Sequence, residues 1–190
     1  VNTAVLIIIL HQLLFQGMFV AKNLRLRARL GRPIRGDNRE ARLAIAFFAV
    51  VIACTLGLAW SGSGFARLDL LPIPVATGIG LAFLALSLVV AALSLRDLGD
   101  SWRVGVIEEQ ETRLMEDGIY GFSRNPYFVA YLLMFAGYTV MLQNLLLLLL
   151  WLIGFGLVHA MVRKEEAYLE RVHGQAYRDY RARVPRYILL

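Results

Sequence analysis

Residues 116–135 read EDGIYGFSRNPYFVAYLLMF. The first half is polar and turn-rich, and Tyr120, Arg124, Asn125 and Tyr127 gather within eight positions around its end. The second half is a membrane-grade apolar helix, and Pro126 stands at the junction. Proline at the first helical position costs no intrahelical hydrogen bond, so the stretch predicts a helix starting at Pro126 with a polar cluster at its mouth.

The same apolar character runs outward in both directions. Hydrophobic residues make up 58% of the 190-residue chain, and the mean hydropathy is +0.60. That is too apolar for a soluble domain of this size and predicts a polytopic membrane protein. Five apolar stretches stand out, at 3–21, 43–60, 71–95, 127–142 and 145–162. A bilayer core of ~30 Å needs about 20 helical residues, which the first three meet, the second only just. The fourth spans about 24 Å of helix. Only Gln143 and Asn144 separate it from the fifth, so the two form a tight helical hairpin with Asn144 as N-cap of the returning helix. The expected fold is all-α: about five spans, the last two a short hairpin, followed by a helical tail. The spans before residue 96 are generic, and 96–190 is the expected catalytic part of a single membrane-embedded domain.

Net charge is +6 and the pI about 9.8, but the charges crowd between apolar runs rather than along one soluble face. This excludes nucleic acid as the partner and points to orientation and to anionic lipid. Residues 22–42 carry Lys22, Arg25, Arg27, Arg29, Arg32, Arg35, Arg39 and Arg42 against Asp37 and Glu40, whereas 61–69 carry only Arg67 and Asp69. The positive-inside rule then places the N-terminus outside, and the 96–126 segment and the arginine-rich tail in the cytoplasm. The first run lacks the basic flank and cleavage pattern of a signal peptide and reads as a retained span.

The single cysteine, Cys54, lies in an apolar run and excludes a disulfide framework. His11, His159 and His173 lack ligand spacing, so no metal is expected. The Gly-x-Gly triplets at Gly62, Gly78 and Gly154 follow no strand and indicate no Rossmann nucleotide site. On the fifth span, His159, Arg163, Glu166 and Glu170 share one helix face, with Glu165 about 100° round. This face reads either as a solvated helix end with pairs such as Arg163–Glu166, or as part of a polar site. His159, the deepest, reads either as a satisfied interior histidine or as a functional one.

Four blocks occur in one order: LGDSW (98–102), DGIYGFSRNPYF (117–128), the hairpin Asn144, and RKEEAYLERVHGQAYRDYRARVPRY (163–187). In this the chain resembles the isoprenylcysteine carboxyl methyltransferase and phospholipid methyltransferase superfamily of integral membrane enzymes, over about half its length. Asn125 stands where many relatives have histidine, and asparagine does not titrate. Val172-His173-Gly174 replaces the usual aromatic-Phe-Gly.

The resemblance implies S-adenosylmethionine bound between the last two spans and the tail, and methylation of a lipophilic acceptor arriving from the bilayer. Carried onto this sequence, it makes Arg124 the partner of the cofactor carboxylate and Glu165 or Glu166 that of its ammonium. Tyr120, Tyr127, Tyr177 and Tyr180 wall the adenosine, and Asn125 and Pro126 complete the lip. Arg124, Asn125 and Glu166 are the expected catalytic residues. A carboxylate acceptor is ionised at pH 7 and needs no base, and Arg96, Arg103 and Arg124 would draw it in, so an isoprenylcysteine-like carboxylate is the expected acceptor. A phospholipid amine is the alternative acceptor. Two other readings stay open: an NADPH-dependent membrane reductase of the sterol type, and a non-enzymatic channel, transporter or scaffold. Against the latter, the later spans are clean at their centres.

Overall fold

The structure, a computed structural model, describes residues 2–31, 39–101 and 113–188. Trp102 and Arg103, and Arg32, Arg35 and Asp37 of the basic segment, lie outside them. Six α-helices follow in order: α1 Thr3–Leu30, α2 Arg39–Ser61, α3 Ile73–Asp97, α4 Pro126–Leu142, α5 Leu145–His173 and α6 Gln175–Arg183. No strand occurs among the described residues, and the chain is an all-α polytopic membrane protein. Helices α1, α2, α3 and α5 are long and apolar enough to cross a bilayer, and α4 is the short apolar member of the hairpin.

Local sequence explains the boundaries. Pro126 opens α4 at its first position. The Asn144 side chain accepts hydrogen bonds from the Leu146 and Leu147 amides at 3.0 and 3.3 Å, capping α5. Helix α1 runs about nine residues beyond its apolar part, because 22–30 (KNLRLRARL) is rich in good helix formers. Part of the expected basic loop is therefore helix, ending at Gly31 in the left-handed region.

The loop before α3 and the hairpin tip lock together at one end of the bundle. The Gln143 side chain accepts from the Leu71 amide at 2.6 Å and donates to the Leu71 carbonyl at 2.8 Å, and Asn144 Nδ2 donates to the Phe65 carbonyl at 2.7 Å. Asn2 Nδ2 donates to the Ala59 carbonyl at 2.8 Å, setting the start of α1 beside the end of α2. At the other end, Arg29 pairs with Asp100 just past α3.

Helices α3 and α4 make the most extensive contact in the molecule. They cross at Gly80 and Gly137. A Cβ on Gly80 would lie 2.7 Å from Met141 Cβ and 2.9 Å from the Gly137 carbonyl oxygen. A Cβ on Gly137 would lie 2.9 Å from Leu84 Cδ2 and 3.1 Å from the Gly80 carbonyl. Small residues let two backbones approach where lipid gives helices no hydrophobic reason to associate.

A buried polar knot adds direction to this packing. His11 Nδ1 and the Tyr138 hydroxyl lie 2.8 Å apart, and His11 Nε2 and Ser87 Oγ 2.9 Å, while Gln12 Nε2 donates to the same tyrosine at 2.8 Å. It joins α1, α3 and α4, and it gives His11 a structural role as a satisfied interior histidine. Nearer the Pro126 end, Phe15 and Phe19 of α1, Phe48 of α2 and Tyr127, Tyr131 and Phe135 of α4 pack as an aromatic ladder. Phe48 and Tyr131 stack at 4.8 Å, and Phe15 meets Tyr131 edge-on at 5.0 Å. These contacts fix the start of α4 against α1 and α2, and so position the turn that precedes it.

Candidate active site

The site is built from three pieces of chain that meet where the hairpin emerges from its apolar half. The first is the turn 117–125. Gly118 takes φ +61° at a point where any side chain would collide with the Asp97 carboxylate, so glycine alone fits there. Asp97, at the end of α3, accepts from the Ile119 amide at 2.9 Å and anchors the turn. The second piece is the polar end of α5. The third is the tail after α6, which folds back over both. The Arg124 amide donates to the Pro185 carbonyl at 3.0 Å, and Ser123 Oγ donates to the Arg186 carbonyl at 3.2 Å.

At the meeting point sits Glu166, with 7% of its side chain exposed. Arg186 grips both carboxylate oxygens: Nε lies 3.1 and 3.0 Å from Oε1 and Oε2, and Nη2 lies 2.8 Å from Oε2. Arg124 Nη2 approaches Oε1 at 3.3 Å, and Asn125 Nδ2 donates to the same oxygen at 3.3 Å. Asn125 Nδ2 also lies 3.3 Å from the Arg186 carbonyl oxygen. Two guanidiniums thus surround one largely buried carboxylate. Arg124, also 7% exposed, keeps Nε buried with no hydrogen-bond partner, a costly arrangement unless a ligand acceptor meets it.

The tyrosines divide. Tyr177 is fully buried, and its hydroxyl accepts from Arg124 Nη1 at 3.5 Å. The Tyr180 hydroxyl donates to the Tyr120 carbonyl at 2.7 Å, tying α6 to the turn. Tyr177 and Tyr180 pack edge-on with ring centroids 6.1 Å apart, beside Val184, Leu114 and Leu169. Tyr127 stands in the aromatic ladder, 5.4 Å from Tyr131. Burial pushes the Tyr177 phenol up to about 12, with Glu166 adding to the rise. Burial also holds the Tyr120 phenol well above its ordinary value, and the carboxylate of Glu165 adds to it. Glu165 itself is exposed, and its charge is felt by both Tyr120 and Tyr177. The Arg186 guanidinium is pushed further toward its charged form, first by its hydrogen bonds to Glu166.

The structure thus brings together Arg124, Asn125, Glu166 and Tyr177 around one carboxylate, with Tyr120 and Tyr180 immediately behind and Pro126 starting the helix beneath. The expected local pair of Arg163 with Glu166 is not what forms. Arg163 is exposed, and the partners of Glu166 come from the turn and the tail. Glu170 pairs with Arg181 at 3.0 Å on the outer surface, and His159 lies 3.3 Å from the Tyr187 hydroxyl. Sequence reasoning missed Arg186. Its only signal was a position directly after Pro185, and its charge was absorbed into the basic tail.

A helical hairpin entering the bilayer beside a buried arginine–carboxylate cluster, closed by a folded tail, defines a polytopic membrane protein with a polar site at one end of the bundle. The family model described as phospholipid methyltransferase matches residues 75–176, more than half of the chain. The chain belongs to this family, part of the superfamily of membrane methyltransferases anticipated from its motifs. A comparison with curated proteins finds no match. The match spans most of α3, the turn, the hairpin and the first residues of α6, two of the three pieces that build the site, ending before Tyr177 and the tail that carries Arg186; it stands on the methyltransferase side of the readings left open above.

Proposed function

We propose that the chain transfers a methyl group from S-adenosylmethionine to a lipophilic acceptor. The single observation that carries this is the half-satisfied Arg124, buried beside Glu166 with Nε unpartnered. Such a site fits a ligand that brings a carboxylate and an ammonium together. The Arg124 guanidinium forks onto the carboxylate, and the Glu165–Glu166 pair offsets the ammonium and sulfonium charges. Tyr120, Tyr127, Tyr177 and Tyr180 shape the wall and exclude water, with Asn125 and Pro126 at the lip. When bound, the cofactor supplies an activated methyl. Arg124, Asn125 and Glu166 contribute orientation rather than proton transfer, and alignment in a water-poor site is worth roughly 7–11 kcal/mol.

In this reading the Arg124 end of the bundle faces the cytoplasm and the N-terminus lies outside. The basic end of α1, with Arg25, Arg27 and Arg29, and the arginines of α6 lie toward that end. The cofactor then arrives from water, and the acceptor enters laterally from the bilayer.

A carboxylate acceptor, that of an isoprenylcysteine-like lipid, is favoured because it is already ionised at neutral pH and needs no base, and Asn125 cannot titrate. The second reading, a phospholipid amine, draws on the family's description and on Glu165, an exposed carboxylate able to take the proton that an ammonium acceptor must lose. Calorimetry on the detergent-purified protein tests the core of the proposal. S-adenosylhomocysteine binds and NADPH does not; binding of NADPH alone would move the protein to the reductase class. With labelled cofactor and extracted lipids, a methyl ester releases its label in alkali, whereas an N-methyl product keeps it.

A further inference from the structure

The end of the bundle away from Arg124 holds a cavity that the methyl-transfer reading does not use. Its volume is about 330 Å³, at the small end of the ~300–1,000 Å³ range of small-molecule sites. It lies between the starts of α1 and α3 and the ends of α2 and α4. About 36 Å of helix separates Ile73, in its wall, from Asp97 beside the turn. Ile7, Leu58 and Met141 give the cavity an apolar floor, and Asn2, Ser63, Arg67 and Thr77 contribute polar groups.

Some of the polar groups in the wall are already committed to the fold. Asn2 accepts from the Ala4 amide and donates to the Ala59 carbonyl, and Gln143 is spent on the backbone of Leu71. Arg67 is different. Its Nε meets Asp69 Oδ1 at 2.5 Å, but its two terminal nitrogens find no partner among the described residues, and neither does the Thr77 hydroxyl. Arg67 is the one cation among the described lining residues.

The backbone around Arg67 is strained. Ala66, Asp69 and Gln143 take φ of 54°, 46° and 45°, and they are the non-glycine residues with positive φ among those described. Such conformations are costly and gather where a fold holds a ligand. Here they are held by two bonds at 2.8 Å, from the Leu68 amide to the Gln143 carbonyl and from the Leu145 amide to the Ala66 carbonyl, which pin the Arg67 segment to the hairpin tip.

The surroundings define the kind of occupant. Trp60, Phe65 and Leu70 stand 75%, 64% and 73% exposed beside the cavity, an apolar collar that belongs at a membrane interface. A small soluble anion would leave the floor uncovered, and an apolar chain alone would leave Arg67 unanswered. A phospholipid satisfies both.

We propose that this cavity binds one membrane phospholipid, with its phosphodiester on Arg67 and the start of an acyl chain over Ile7, Leu58 and Met141. The site is independent of the cofactor reading. The lipid touches α1, α2, α3 and the hairpin tip together, so it acts on the stability of the packed bundle.

The test titrates delipidated protein in detergent with phosphatidylglycerol, with diacylglycerol of the same chains, and with inorganic phosphate. Native mass spectrometry reads retention, and the thermal midpoint reads stability. One phosphatidylglycerol stays bound and raises the midpoint, whereas diacylglycerol and phosphate do neither. Arg67→Gln raises the half-saturating lipid concentration about 10-fold or more, and Arg67→Lys recovers part of the loss. Thr77→Leu, which fills the cavity and leaves both charges in place, also weakens binding. Arg124→Ala leaves it unchanged, which separates this lipid from one held as a methyl acceptor. Without lipid, Arg67→Gln melts near wild type, because the Arg67–Asp69 pair is exposed.

Equal affinity in Arg67→Gln and wild type would overturn the proposal, as would a wild-type protein that retains no phosphatidylglycerol. Diacylglycerol binding as well as phosphatidylglycerol would reduce the site to an apolar cavity without phosphate recognition. Stabilisation by inorganic phosphate alone would make it a small-anion site and exclude the lipid.

Discussion

Arg124→Ala lowers methyl transfer to the lipophilic acceptor on the order of 10²-fold or more, the scale seen when one aimed donor is removed from a water-poor site. The protein still folds. Its Glu166 keeps the bidentate contact of Arg186 at 2.8–3.1 Å and the amide of Asn125, so the carboxylate does not become a stranded buried charge. The backbone bond from the Arg124 amide to the Pro185 carbonyl is also untouched, because it does not depend on the side chain. Arg124→Lys recovers only a fraction of activity: one ammonium cannot address Glu166, Tyr177 and a ligand acceptor together as a planar five-donor fork does. A turnover assay beside a thermal melt in detergent checks both halves. Undiminished turnover in Arg124→Ala would remove this residue from the site, and a collapsed melting transition would reassign it to the fold.

The second large effect concerns stability. Gly137→Leu prevents the α3–α4 crossing, because the first added carbon already falls 2.9 Å from Leu84 and 3.1 Å from the Gly80 carbonyl. Even Gly80→Ala costs roughly 1–3 kcal/mol, since its Cβ would meet Met141 at 2.7 Å and the backbone carbonyl of Gly137, neither of which is a flexible chain end. Gly78→Ala is the control. Two residues earlier on the same helix, its Cβ meets nothing within 4 Å, and alanine is a better helix former than glycine. The expected order of thermal midpoints is Gly78→Ala at or above wild type, then Gly80→Ala, then Gly137→Leu, the last failing to give a monodisperse protein. Equal midpoints for Gly78→Ala and Gly80→Ala would show that the helices do not cross at Gly80. Loss of activity in the Gly137 variant follows from geometry, because α4 carries the turn that holds Arg124 and Asn125.

The two cases differ in how much of them could be read from the chain alone. The mouth of the hairpin was legible because its signals are local. Proline fixes a helix start, asparagine caps the returning helix, and an apolar run of bilayer length needs no partner to be recognised. The same holds for the Arg124–Asn125 pair and the Glu165–Glu166 pair, which lie in short motifs. The choice between Gly78 and Gly80 was not legible, since both satisfy the same pattern and only the approach of α4 tells them apart. His11 is a comparable case. Read alone it is an anomaly in a span, and its explanation lies in Tyr138 and Ser87, at sequence separations of 127 and 76.

By itself, then, the sequence determined the all-helical membrane class, the hairpin with its caps, and the segments where charge enters the apolar chain, because each depends on hydropathy, backbone geometry and neighbours within one helical turn. Only the tertiary structure decided who meets whom at the site. Glu166 takes Arg186 from the tail and Arg124 from the turn in place of the nearby Arg163, and Glu165, one residue away, is left open. The reason is physical. A carboxylate pairs with whichever cation the fold desolvates alongside it, and that depends on how α4, α5 and the returning tail pack, which no local pattern encodes.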